Sequence, residues 1–250
     1  MKINYNKQAA HYEDTRDIDP HVYFTLTNLL KPVKGDVVLD FGCGTGNYLK
    51  QLTIDYDIVP YGIEPSDKMR KIAQKKLNKN CILNGDHTNI PCFATLFNII
   101  YCTDVIHHIQ QIDLLFQNLK KIAKSNTKLC ICTESHYQLG EKYWIKYFPQ
   151  ILDIDSKRFH TIENIIEVGE NNGWIHYETF RIEDEVVAPI SSRFMECIRQ
   201  KTLSVLHMIS DQEYEQGLTV MEYDYEKQIL LHQHEGYTFV LFRKDIQDEI

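Results

Sequence analysis

Apolar and polar positions change period along this chain, and the changes mark its elements. Near the start, Tyr5, Ala9, Tyr12 and Arg16 recur at helical spacing and share one face. A second helix is expected from about His21 to Leu30. It stops ahead of Lys31-Pro32, because the residue before a proline avoids the helical region. Short apolar runs then alternate with amphipathic ones. Val37 to Phe41, Ile58 to Ile63, Ile82 to Asn84, Phe97 to Cys102 and Lys128 to Thr133 read as strands. The intervening segments read as helices: one opening at Asn47, one from Asp67 to Leu77 capped by Ser66, and one from Asp113 to Ala123. Strands that are apolar throughout, rather than at alternate positions, predict a parallel sheet covered on both faces.

After Glu134 the rhythm breaks. The stretch SHYQLGEKYWIKYFPQILDIDSKRF is rich in aromatics and has no clean period. A helix from about Thr161 to Asn171, ending at Gly173, and a strand around Tyr177 to Ile182 follow. Two helical stretches, Ser192 to Ile209 and Asp211 to Glu222, precede a last strand, Tyr237 to Arg243. A helical excursion of that length between two strands predicts an inserted lid.

Composition narrows the function classes. A chain of 250 residues suits one α/β domain with an insertion. The net charge of −8 argues against stable nucleic-acid binding, since an acidic surface repels phosphate. The densest basic cluster, Lys68, Arg70, Lys71, Lys75 and Lys76, reads as a solvated helix face. The seven cysteines include no C-x-x-C pair, so no metal site is expected and the thiols read as reduced, in a cytoplasmic protein. MKINYNKQAAHY lacks the apolar core of a signal peptide, and no apolar run approaches the roughly 18 residues of a membrane span.

The chemistry concentrates in VVLDFGCGTGNYLKQL. Strand, glycine turn and helix form the geometry of a nucleotide or nucleoside site at the carboxyl end of a parallel sheet. A dinucleotide fingerprint spaces its glycines G-x-G-x-x-G and faces a helix N-terminus to a pyrophosphate. Here Gly42, Gly44 and Gly46 follow G-x-G-x-G, and Asp40 ends the strand just before them. A carboxylate there repels pyrophosphate and attracts a cation, such as the amino group of a methionine moiety. That favours S-adenosylmethionine.

VLDFGCGTG resembles the first motif of the class I S-adenosylmethionine-dependent methyltransferases, small-molecule type, similar to ubiquinone-biosynthesis-like and trans-aconitate-like members. YGIEPSDKM resembles their second motif, NGDHTNIPC their third and FNIIYCTDVIHHI their fourth-strand segment. The resemblance covers about residues 35–135. It implies a Rossmann-like, seven-stranded, mostly parallel sheet with helices on both faces, an antiparallel last strand and helical lid insertions. It also implies S-adenosylmethionine as cofactor. The residues it assigns to that cofactor are Asp40, Gly42, Cys43, Gly44 and Gly46; Glu64, Pro65 and Met69; Asp86 and His87; and Thr103 with His108. In that assignment Glu64 accepts from the ribose hydroxyls and Asp86 from the adenine amine. The N-terminal helix resembles one that closes over the cofactor, bringing Tyr12 and Arg16 to its carboxylate. One departure is AKSNTKLCICT, where the family commonly carries a Pro-Gly-Gly turn.

The organisation expected is one methyltransferase domain: a helical cap over 1–30, a cofactor core over 35–135, and substrate or lid insertions over 136–160 and 187–235. Methyl transfer from a sulfonium is an in-line displacement that needs alignment and exclusion of water, and a base only where the acceptor carries a proton. His107, His108 and Glu134 are the candidate bases, His136 a second choice beside them. His136, Tyr143, Trp144, Arg158 and Arg193 are candidate acceptor contacts, with His160 an alternative for an acidic acceptor. A small-molecule acceptor is expected. The alternatives are a tRNA-modifying enzyme of the wobble-uridine kind, which VIHHI resembles, and a silent S-adenosylmethionine-binding module.

Overall fold

The computed structural model of the chain describes residues 18–245. Its strands form one seven-stranded sheet in the order β3-β2-β1-β4-β5-β7-β6. β1 (Val37–Phe41) pairs in parallel with β2 (Val59–Ile63) on one side and β4 (Phe97–Thr103) on the other. β3 (Ile82–Leu83) extends the sheet beyond β2, and β5 (Ala123–Thr133) lies beside β4, both again parallel. β7 (Leu231–Lys244) is antiparallel to β5, with Ile131 opposite Val240. β6 (Trp174–Ala188) is the edge strand. The chain builds outward from β1 through β2 to β3 and then returns to β4 on the other side. That reversal puts a crevice at the carboxyl ends of β1 and β4, where open α/β sheets bind ligands.

The described residues fall into two compact units. One contains Ile18–Thr133, His160–Phe180 and the segment from Thr238 onward. Its helices are α1 (Pro20–Leu30), α2 (Asn47–Tyr56), α3 (Asp67–Lys76), α4 (Ile112–Lys121) and α7 (Ile162–Asn171). Their starts follow local chemistry. Asp19 caps α1 by accepting from the His21 and Val22 amides at 2.9 and 3.2 Å, with Pro20 in the first turn where its missing N–H costs nothing. Ser66 accepts from the Met69 amide at the start of α3. On one face of the sheet the core buries Leu39, Ile100, Leu129 and Phe242, which stand opposite one another across four strands, together with Phe97, Phe116 and Trp174.

One boundary differs from the sequence expectation. α4 ends at Lys121 and β5 begins at Ala123, not Lys128. Pairing jumps from Phe97 opposite Ala123 to Ile99 opposite Lys128, so residues 124–127 bulge from the strand. Asn126 turns the bulge with φ of 63°, a conformation its short amide tolerates. The buried Thr127 hydroxyl lies 2.6 Å from the Phe97 carbonyl and 2.7 Å from that of Lys124. This is how a segment lacking the family's Pro-Gly-Gly makes its turn.

The other unit contains Glu134–Phe159 and Arg181–Tyr237. The aperiodic aromatic stretch folds as α5 (His136–Glu141), a 3-10 turn over Tyr143–Lys146, and α6 (Gln150–Arg158). A reciprocal capping box between Ser135 and Gln138 starts α5. The stretch Ser192 to Ile209, expected to be helical throughout, is α8 (Ser192–Arg199) followed by a 3-10 turn over Ser204–His207, and α9 (Asp211–Glu226) completes the set. These elements bury Trp144, Phe148, Met195, Ile198, Leu206 and Met221 as a core of their own. β6 and β7 are both longer than their apolar stretches suggested. Many of their added residues, among them Glu183, Asp184, Glu185, His232 and His234, are polar. Backbone pairing holds them in the strands without an apolar signature.

Candidate functional site

The glycine turn leaves β1 directly into α2. Gly42, Gly44 and Gly46 all take positive φ, 78°, 53° and 78°. At Gly42 there is a second constraint, because a Cβ there would stand 2.5 Å from Val105 Cγ2. Around Gly44 no atom of the described residues lies within 4 Å of the corresponding position. The turn is tied down by backbone bonds. The Gly42 and Cys43 amides both donate to the Ile63 carbonyl, at 2.8 and 3.0 Å, and the Gly46 amide donates to the Cys43 carbonyl at 2.8 Å. Cys43 is thus occupied: its side chain is buried, with Sγ 2.7 Å from where a Cβ on Gly62 would sit, and burial pushes its thiol well up.

Two buried carboxylates stand at the ends of adjacent strands. Glu64, just past β2, accepts from the Gly44 amide through Oε2 at 2.9 Å and from the Ser66 amide through Oε1 at 2.7 Å. Burial raises its pKa, and those two bonds oppose the rise. Each oxygen retains a lone pair for a further donor. Asp40, inside β1, is 3% exposed. Its Oδ2 accepts from the Tyr101 hydroxyl at 3.0 Å, and its Oδ1 has no hydrogen-bond partner among the described residues. Burial pushes its pKa up to about 7, against the lowering effect of the Tyr101 bond and helped by the nearby Glu64. A buried carboxylate oxygen without a donor is costly by itself and is the kind of atom a cationic ligand satisfies.

Other expected positions lie around the same strand ends. Asp86 Oδ1 accepts from the Thr88 amide and hydroxyl, at 2.8 and 2.6 Å, and from the Asn89 amide at 3.1 Å. Burial would raise the Asp86 pKa, but the Thr88 and Asn89 bonds outweigh it and bring the group below the ordinary range. The His87 carbonyl accepts from Asn118 at 2.9 Å. Met69 is buried in α3 and Pro65 is exposed ahead of it. Thr103 closes β4 and is half-buried. The rings of His107 and His108 lie 4.0 Å apart in a 3-10 turn; His107 is half-buried and His108 exposed. Tyr12 and Arg16 lie outside the described residues. His160 holds the Ile109 carbonyl at 2.7 Å, a pinning bond within the sheet unit.

In the helical unit several of the expected site residues are engaged by other neighbours. Lys142 Nζ meets Glu134 Oε2 at 2.6 Å. Arg158 pairs with Asp155 at 2.8 Å and donates to the Ser204 hydroxyl at 3.1 Å. His136 Nε2 lies 2.9 Å from the Phe159 carbonyl. Tyr143 and Trp144 pack against Phe194, with ring centroids 5.4 and 6.2 Å away, and Arg193 is exposed in the first turn of α8.

Three residues of the strand-end region carried no sequence signal. Tyr101 became visible only through the pairing of Asp40 with Tyr101 across β1 and β4. Tyr48 accepts from the Asp19 amide at 3.1 Å. Asp104 leaves β4 with φ of 55°, one position before the Val105 that walls Gly42. The group tested by this arrangement, S-adenosylmethionine, fits it. Asp40 Oδ1 suits an amino cation, Gly44 leaves open space at the turn, and Glu64 and Asp86 retain acceptor capacity.

Comparison with known proteins follows the same line. A methyltransferase-domain family model matches residues 15–196. An uncharacterized methyltransferase of Anoxybacillus flavithermus is 40% identical over 100 residues, which are 40% of this chain and 46% of that protein. The mitochondrial ubiquinone biosynthesis O-methyltransferase of Schizosaccharomyces pombe is 26% identical over 60% of this chain and 57% of its own length. The matches span about half the length of these curated relatives. Among solved structures, an Anabaena variabilis protein described as a methyltransferase from an antibiotic biosynthesis pathway superposes with a TM-score of 0.69. It is 21% identical, with 91% of this chain and 98% of that one covered.

Proposed function

The chain belongs to the methyltransferase-domain family, as a class I enzyme whose cofactor is S-adenosylmethionine, and we propose that it transfers the cofactor's methyl group to a small-molecule acceptor. The observation that carries the cofactor side of this reading is Asp40, a buried carboxylate with one oxygen lacking a donor among the described residues, set beside a G-x-G-x-G turn. A pyrophosphate would meet that charge unfavourably, and an amino cation completes it.

When bound, the sulfonium supplies an activated methyl group and a neutral leaving group. The chain's own residues then have to hold, orient and dry the site. Asp40 takes the amino group. Glu64 has a lone pair on each oxygen for ribose hydroxyls, while its other bonds keep the glycine turn in place. Asp86 Oδ1 is already used three times, which leaves Oδ2 for the adenine amine. Tyr12 and Arg16 are assigned to closure over the cofactor carboxylate. His107 and His108 are assigned to the acceptor, where an imidazole removes a proton if the acceptor atom carries one. Arg158 is already paired to Asp155, which favours a structural role for it and an acceptor that is not strongly acidic.

Net charge supports the small-molecule reading over tRNA, since −8 offers no general attraction for a polyanion. The test is transfer of labelled methyl from S-adenosylmethionine in a cell extract separated by size. Label in the small-molecule fraction is expected. Label confined to RNA would replace the acceptor class, and binding of NAD without binding of S-adenosylhomocysteine would overturn the whole reading.

A further inference from the structure

We infer that Tyr101 is a positioning residue of the cofactor site: its hydroxyl holds one carboxylate oxygen of Asp40, so that the other is presented to the cofactor's amino cation. The inference rests on the cofactor reading above and extends it to a residue outside the glycine turn.

The geometry is local and specific. β1 and β4 are parallel neighbours, and Asp40 is in register with Tyr101. Paired residues of adjacent strands project to the same face. Tyr101 is fully buried, and its hydroxyl reaches Asp40 Oδ2 at 3.0 Å. A phenol pinned this way fixes the carboxylate plane, and with it the direction of Oδ1. It also stabilises the charged form, because a donor to a carboxylate favours the anion.

Among the described residues, no cation takes this role in the immediate surroundings. Among the described residues, the titratable groups around the Asp40–Tyr101 pair are Cys102 on β4, Cys43 in the turn, Glu64 past β2 and Tyr48 on α2, and like Tyr101 all of them are acids. Burial pushes the Tyr101 phenol and the Cys43 and Cys102 thiols well up, so they stay neutral. Among the described residues Glu64 is the neighbouring charge, and it opposes ionisation of Asp40. Against that background the Tyr101 hydroxyl is what favours an ionised Asp40 before the ligand arrives.

The measurement is the affinity for S-adenosylhomocysteine, by calorimetry, between pH 5.5 and pH 9 in the full chain. For Tyr101→Phe the pH at which binding weakens is expected to move upward by about one unit. Affinity then stays near wild type at pH 9 and falls by about a further tenfold at pH 6. In an Asp40→Asn background the same Tyr101→Phe change is expected to leave the profile unaltered, while any titration of Glu64 persists. A uniform loss at every pH would make Tyr101 ordinary packing and overturn the inference, as would a shift that survives Asp40→Asn. Should Tyr101→Phe not fold, 3,5-difluorotyrosine at 101 keeps the shape and strengthens the donor, and the profile should move downward. A wild-type chain that binds no S-adenosylhomocysteine at any pH fails the cofactor reading itself, a result distinct from overlapping wild-type and variant profiles.

Discussion

Asp40, inside the carboxyl end of β1, and Glu64, just past the end of the neighbouring β2, are nearly equally buried, at 3% and 6% exposure. Their surroundings are opposite. Glu64 receives one backbone amide on each oxygen, from Gly44 and Ser66. From the described residues Asp40 receives one phenol on one oxygen and nothing on the other. The first carboxylate is part of the framework that shapes the turn. The second stands partly unsatisfied, a cost the fold carries and a ligand removes. Burial and the carboxylate group are shared, so the difference comes from the donors that the fold delivers to each place.

The sharpest way to break this comparison is Asp40→Asn. Affinity for S-adenosylhomocysteine should fall by about 3 kcal/mol, roughly a hundredfold, because the cation loses its buried partner. Stability should move the other way. Asp40 has a folded-state pKa raised to about 7, so its favourable contribution is complete below its unfolded value and is lost as pH rises through about 7. The asparagine resembles the protonated acid. The variant without ligand is therefore expected to melt higher than wild type at pH 8 and no higher at pH 4. Equal melting temperatures at pH 8 would show that Asp40 carries no burial penalty.

Glu64→Ala should reverse the sign. It strips two amides of their acceptor, and a loss of stability of about 1–3 kcal/mol is expected at neutral pH, together with weaker binding. Chemical denaturation at pH 7.5 checks it. A variant as stable as wild type would place Glu64 with Asp40, as a group serving only the ligand.

Gly42→Ala tests how closely the turn packs against Val105. Its Cβ would meet Val105 Cγ2 at 2.5 Å, at a φ of 78°, and a cost of about 1–3 kcal/mol is expected. Adding Val105→Ala should restore only the part due to overlap, leaving the backbone strain. The smallest effect belongs to a site away from both strand ends. Asn126→Gly should stay within about 0.5 kcal/mol of wild type and Asn126→Ala should lose about 1 kcal/mol, since alanine gains nothing at a left-handed position. Binding should be unchanged in both, and a change would show that the bulge reaches the cofactor site.

Much of this was legible in the residues. Val37 to Phe41 is both the expected and the observed first strand, and Ser66 caps α3 as its place before Asp67 suggested. Apolar runs and caps are local, so a linear reading finds them. The stretch after Glu134 was not legible, because its short helices and 3-10 turns are too brief for a period to emerge. The outer halves of β6 and β7 were hidden for a related reason: polar strand residues look like loop until a neighbouring strand supplies their bonds.

The sequence by itself determined the glycine spacing, the acid at each strand end and the alternation that makes a parallel sheet, and these sufficed to point at S-adenosylmethionine. Only the tertiary structure decided which acid is held by the backbone and which is left for a ligand. That choice depends on the register of β1 against β4, which sets Tyr101 beside Asp40, and on the path of the turn, which sends the Gly44 amide to Glu64. Register and turn path join residues 61 and 20 positions apart, and hydrogen bonds over such separations exist only once the strands have paired.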